Sequence, residues 1–96
     1  MINAETAKAN VITFQAQFIA KVQAAVDELL ETMSKSIEFH SRQGFTVAEY
    51  CPYTSSRFPC DKAKEEAQKM FDKTFKEYGY TVLVNNIEKN VLKIQW

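Results

Sequence analysis

Reactive side chains are few in this sequence, and most gather around one loop. Cys51 and Cys60 bracket the stretch Cys51-Pro52-Tyr53-Thr54-Ser55-Ser56-Arg57-Phe58-Pro59-Cys60, and the single histidine, His40, precedes it. Thiolates and imidazole are the ligands zinc prefers, so His40, Cys51 and Cys60 are three conceivable donors, but their spacing follows no standard zinc pattern. Cys51 as a nucleophile needs a base and an oxyanion site, and His40 is the one conventional base on offer. An imidazole in the last turn of a helix is favoured by the dipole with no catalytic task attached. Adjacent Glu65 and Glu66 point to different faces of a helix and make no carboxylate pair. There is no glycine-rich phosphate loop. The expectation is a protein that is not an enzyme and that holds neither metal nor cofactor.

Binding chemistry is richer. Thr54, Ser55 and Ser56 carry hydroxyls, and Arg57 presents a planar five-donor fork suited to phosphate. Tyr53 and Phe58 have flat faces on which a base can stack. A helix beginning just after the loop turns free backbone amides toward an anion, although Asp61, Glu65 and Glu66 oppose one there. Tyr53, Thr54, Ser55, Ser56, Arg57 and Phe58 are therefore the candidate ligand-binding set, sized for a small nucleotide at a subunit boundary. In the plainer reading, Tyr53 and Phe58 anchor the loop on the core while the hydroxyls cap turns.

The elements that must position this loop are legible from two glycines. Gly44-Phe45-Thr46-Val47 and Gly79-Tyr80-Thr81-Val82 each follow a run of helical periodicity and open an extended one. Glycine takes the left-handed conformation at a helix C′ position at little steric cost, and the aromatic and β-branched residues after it favour a strand. Asn3 is a good N-cap, with Glu5 in the first turn, and no Pro or Gly interrupts the chain from there to Gln43. Val11, Ile12, Phe18, Ile19, Val22, Val26, Leu29, Leu30, Met33 and Ile37 lie on one broad stripe of that helix.

A helix over residues 3–43 would span on the order of 60 Å, whereas a compact domain of this length has a radius of gyration of about 13 Å. Either it breaks near residues 31–36, in the run Glu31-Thr32-Met33-Ser34-Lys35-Ser36, or its N-terminal half projects and packs on another chain. Ile12, Ile19, Val26 and Met33 sit seven apart like a coiled-coil seam, and Phe14, Phe18 and Ile19 would be exposed on a projecting monomer. The candidate oligomer or partner interface is thus Ile12, Phe14, Phe18, Ile19, Val22 and Val26, with a homo-oligomer preferred over an N-terminal half that folds back.

Phe45–Tyr50 alternates as a half-buried strand, and both prolines keep the loop out of regular structure. A second helix starts at an Asp61 N-cap and ends near Tyr78, with Ala67, Met70, Phe71, Phe75 and Tyr78 on its apolar face. Tyr80–Val84 and Val91–Trp96 read as a hairpin whose turn opens at Asn85-Asn86, with Leu92, Ile94 and Trp96 facing the core. The fold class is α+β: a long N-terminal helix, then over residues 45–96 a strand, a helix and a C-terminal β-hairpin, giving a small three-stranded antiparallel sheet.

Residues 1–96 are read as one domain, 46% hydrophobic and 25% charged, with twelve basic residues balanced by twelve acidic ones. Zero formal charge and no block of Lys or Arg argue against binding extended nucleic acid, which depends on neutralising phosphates. Met1–Glu5 has no basic stretch leading into an apolar run, and no 18 consecutive apolar residues occur, so a cytosolic protein without membrane contact is expected. In a reducing compartment Cys51 and Cys60 stay free thiols more often than they pair.

The two glycine junctions and the closing Leu92-Lys93-Ile94-Gln95-Trp96 resemble a large group of small tailed-bacteriophage proteins, which often finish in Ile-Ser-Trp; Gln95 stands here in place of that Ser. The similarity covers residues 33 to 96. It implies a phage protein of the host bacterial cytoplasm or the virion, and it carries over no catalytic residue. The expected function is a non-enzymatic homo-oligomer that sequesters a host ligand such as a nucleotide immune signal; the alternatives are a protein that binds and inhibits a host protein through Phe14, Phe18 and Ile19, and a virion component.

Overall fold

The computed structural model describes residues 1–96. Helix α1 runs without interruption over Ala4–Arg42. Asn3 starts it from an extended conformation, its side-chain oxygen accepting the Thr6 backbone N–H at 2.8 Å, and Glu5 complements the dipole in the first turn. The break considered at residues 31–36 does not occur. That run contains no helix breaker, Met33 within it is buried, and its polar members face solvent, where Glu31 and Lys35 pair at 3.7 Å one turn apart. The Thr32 hydroxyl, instead of competing with the ladder, bonds back to the Glu28 carbonyl at 3.3 Å.

Strand β1 (Val47–Tyr50) follows, then the loop, helix α2 (Asp61–Glu77), and strands β2 (Thr81–Asn86) and β3 (Val91–Gln95). Both helices end in the same six-residue motif. At α1, Gly44 N–H bonds to Ser41 O and Phe45 N–H to His40 O; at α2, Gly79 N–H bonds to Lys76 O and Tyr80 N–H to Phe75 O, all between 2.9 and 3.1 Å. Both glycines sit at φ +87°. Each motif carries the ring contact that goes with this geometry, Phe45 against His40 at 5.9 Å and Tyr80 against Phe75 at 5.6 Å between centroids.

The sheet is antiparallel in the order β1-β3-β2, so the last strand is central. Leu92 and Ile94 on β3 are fully buried, while Trp96 is partly buried at the core's edge. The hairpin turn falls later than expected. Asn85 and Asn86 remain in β2, and the chain reverses over residues 87–90, with Asn86 Oδ1 accepting Lys89 N–H at 2.9 Å and Asn90 taking a positive φ of 51°. Helix α2 begins one residue after its N-cap Cys60, which makes no side-chain cap, so Asp61 is its first residue rather than the cap.

Both helices cover one face of the sheet. The core joins Val22, Val26, Leu29, Met33 and Ile37 of α1 to Ala63, Ala67, Phe71 and Phe75 of α2, with Ala48, Tyr53, Phe58, Leu92 and Ile94. No residue of α1 before Val22 is buried, and the molecule measures 63 × 24 × 19 Å, with a Cα radius of gyration of 16.5 Å. The excess over about 13 Å for a compact chain of this size is the N-terminal half of α1, which stands out as an arm.

Candidate functional site

The loop between β1 and α2 is pinned at its base. Tyr53 N–H donates to Asn90 Oδ1 at 2.7 Å, and the Tyr53 hydroxyl donates to Asn85 Oδ1. Asn85 exchanges two further bonds with Gln68 of α2: Gln68 Nε2 to Asn85 O at 2.8 Å and Asn85 Nδ2 to Gln68 O at 3.2 Å. Tyr53 is 3% exposed and packs against Phe58 and Phe71 at 6.4 and 6.0 Å between centroids, while Phe58 is wholly buried. Burial pushes the Tyr53 phenol well above its ordinary pKa, and the Asp72 carboxylate adds a smaller upward push.

These positions correct the nucleotide-stacking expectation. A ring in the core offers no face to a base, so Tyr53 and Phe58 are loop anchors. The rest of the set does lie at the surface: Ser55, Ser56 and Arg57 are exposed and Thr54 is half-buried. Thr54 Oγ1 and Ser56 Oγ are 3.2 Å apart, and the Thr54 carbonyl accepts both Arg57 N–H and Phe58 N–H, a tight turn that leaves the guanidinium outside any ion pair. Cys51 and Cys60 are free, exposed thiols. His40 lies in the last turn of α1 with Nδ1 2.7 Å from the Ser36 carbonyl oxygen, and it does not join the two cysteines in a metal-binding group.

The arm carries the other candidate residues. Ile12 and Phe14 are 66% and 67% exposed, Ile19 is 39% exposed, and Phe18 is half-buried with its ring stacked 6.4 Å from that of Phe14. Val22 and Val26 leave this set, because they are 4% and 0% exposed within the chain's own core. Val11, absent from the set, is 55% exposed and belongs to the same stripe. Steps of seven and four residues carry the stripe from Val11 through Phe18, Val22, Leu29 and Met33 to Ile37 on one side of α1, so the side that docks the domain is the side left bare along the arm.

One feature escaped sequence reasoning. Tyr78, expected on the apolar face of α2, is 77% exposed as the C-cap residue. Together with Phe75 and Tyr80 it faces Asp27, Leu30 and Glu31 of α1 across a groove of about 470 Å³. An aromatic residue just ahead of the helix-ending glycine was the available signal, since that position lies at the rim of the helix.

No helix is long and apolar enough to cross a membrane. No family model matches the sequence, and no curated protein or solved structure matches it either.

Proposed function

We propose that the protein acts by non-covalent association rather than catalysis, and that the arm of α1 pairs with a second copy through Val11, Ile12, Phe14, Phe18 and Ile19. The observation that carries this reading is the apolar stripe of α1, interrupted in the arm only by Gln15, buried from Val22 onward and largely exposed before it. The resemblance to small tailed-phage proteins supports a setting in the infected host's cytoplasm or in the virion, and a host protein is the alternative owner of the opposing face.

Solution mass by light scattering across a concentration series tests the proposal. The expected result is an assembly for the wild type and a monomer for Phe14→Asp, whose side chain touches no core residue. A wild type that stays monomeric throughout overturns self-association and assigns the arm to a different polypeptide.

A second reading is sequestration of a small phosphate-bearing ligand, favoured by the unpaired Arg57 beside the Ser55 and Ser56 hydroxyls. Melting against a panel of cyclic and linear nucleotides tests it, because a ligand that binds only the folded state raises the midpoint. The rise should vanish in Arg57→Ala.

A further inference from the structure

We propose that the groove between α1 and the C-terminal end of α2 receives an arginine side chain from a partner polypeptide. Its volume of about 470 Å³ exceeds one side chain and suits an arginine with its flanking backbone. Asp27 and Glu31 stand one turn apart on α1 and form an acidic wall. Tyr78 and the half-buried Tyr80 form the facing aromatic wall over the buried Phe75 ring, with Leu30 as an apolar surface for the methylene stem.

Every electrostatic feature of the groove has the same sign. Two exposed carboxylates line it and no Lys or Arg does. Aromatic faces are themselves negative and attract a cation held within about 6 Å. The competing contacts are weak. Lys35 approaches Glu31 at 3.7 Å as a single exposed contact, and a docked guanidinium competes with it by adding the Asp27 carboxylate and the tyrosine face, whose contact removes water from the pair. Asp27 accepts from the neutral Gln23 amide at 2.8 Å, which leaves its charge uncompensated. A guanidinium fits better than an ammonium because it is planar, stacks on a tyrosine ring and forks onto a carboxylate at once. The groove lies beside the docked half of α1, so this proposal does not rest on the pairing of the arms.

The single tryptophan gives a readout, since the Trp96 ring lies 6.3 Å from that of Tyr80. The probe is acetyl-Gly-Ala-Arg-Ala-Gly-amide, with the neutral and nearly isosteric citrulline peptide as control, followed by Trp96 fluorescence and backbone amide NMR shifts on the full chain. Saturable binding of the arginine peptide is expected, weakened at least tenfold by citrulline and at least tenfold by Asp27→Asn combined with Glu31→Gln. Tyr78→Ala should weaken it severalfold, and Lys35→Ala should tighten it. Absence of saturation up to millimolar peptide overturns the proposal, as does equal binding of the citrulline peptide or indifference to the double substitution. Equal binding of a third probe, acetyl-Gly-Ala-Lys-Ala-Gly-amide, overturns the assignment to arginine.

Discussion

The Tyr53 hydroxyl ties the loop to β2 and, through Asn85, to α2, and its acidity makes that tie measurable. Burial holds the phenol neutral in the folded protein, whereas in the unfolded chain it ionises near its ordinary value of 10.0. A raised folded pKa means that the stabilisation is fully present below about pH 10 and is lost as the pH climbs past it, because the unfolded state then releases a proton that the folded state retains. The unfolding free energy of the wild type from urea titrations should therefore fall more steeply above pH 10 than that of Tyr53→Phe, by up to about 1.4 kcal/mol per pH unit, the limit for one proton. At neutral pH the same substitution should cost about 1 kcal/mol through the lost bond to Asn85. Parallel pH curves for the two proteins would show that the hydroxyl reaches solvent. From the sequence Tyr53 and Phe58 offered both stacking and anchoring, and the choice was made by residues far along the chain, Gln68, Asn85 and Asn90, whose approach no local pattern announces.

At the scale of the elements, the helix ends make the sharpest prediction. A Cβ added at Gly79 would meet no atom within 4 Å, so Gly79→Ala is free of clashes and its cost is the left-handed backbone alone. That cost is about 1–2 kcal/mol, which in a domain of this size lowers the melting temperature by roughly 4–8 °C per kcal/mol. Gly44→Ala, at the same φ and in equally open space, should cost the same amount. A much larger loss at either site would mean that the glycine does more than end its helix. These junctions were legible because a helix-to-strand switch is written in adjacent residues. So was the burial of Leu92 and Ile94, which follows from alternation in β3. The hairpin turn was less legible, since Asn85 and Asn86 carry turn chemistry and yet Asn85 is held in β2 by its bonds to Tyr53 and Gln68. Along α1 the stripe was readable throughout, but periodicity does not say which half finds a partner within the chain. Substitution separates the halves: Val26→Asp should unfold the monomer by placing a charge in the core, whereas Phe14→Asp should change the monomer's stability by no more than about 0.5 kcal/mol. Thermal melts of the two variants at low concentration check the pair of outcomes.

For the whole molecule, the side on which the stripe lies dictates how two copies can meet. The exposed part of the stripe faces the same way as the part that holds α2 and the sheet, so each globular half sits on the bare side of its own arm. Paired helices approach to about 8–10 Å between axes. Parallel arms meeting through their stripes would drive the two globular halves into one another. Antiparallel arms avoid this, each N-terminus ending against the neighbour's globular half. An arm from Ala4 to Lys21 is about 27 Å long at 1.5 Å per residue, so two molecules of 63 Å that overlap by one arm extend roughly 100 Å end to end. Small-angle scattering of the wild-type dimer should give a maximum dimension near that length, with two separated lobes in the distance distribution. The Phe14→Asp monomer should return a length near 63 Å. A dimer no longer than its monomer would require parallel arms, and with them a contact that does not use this stripe.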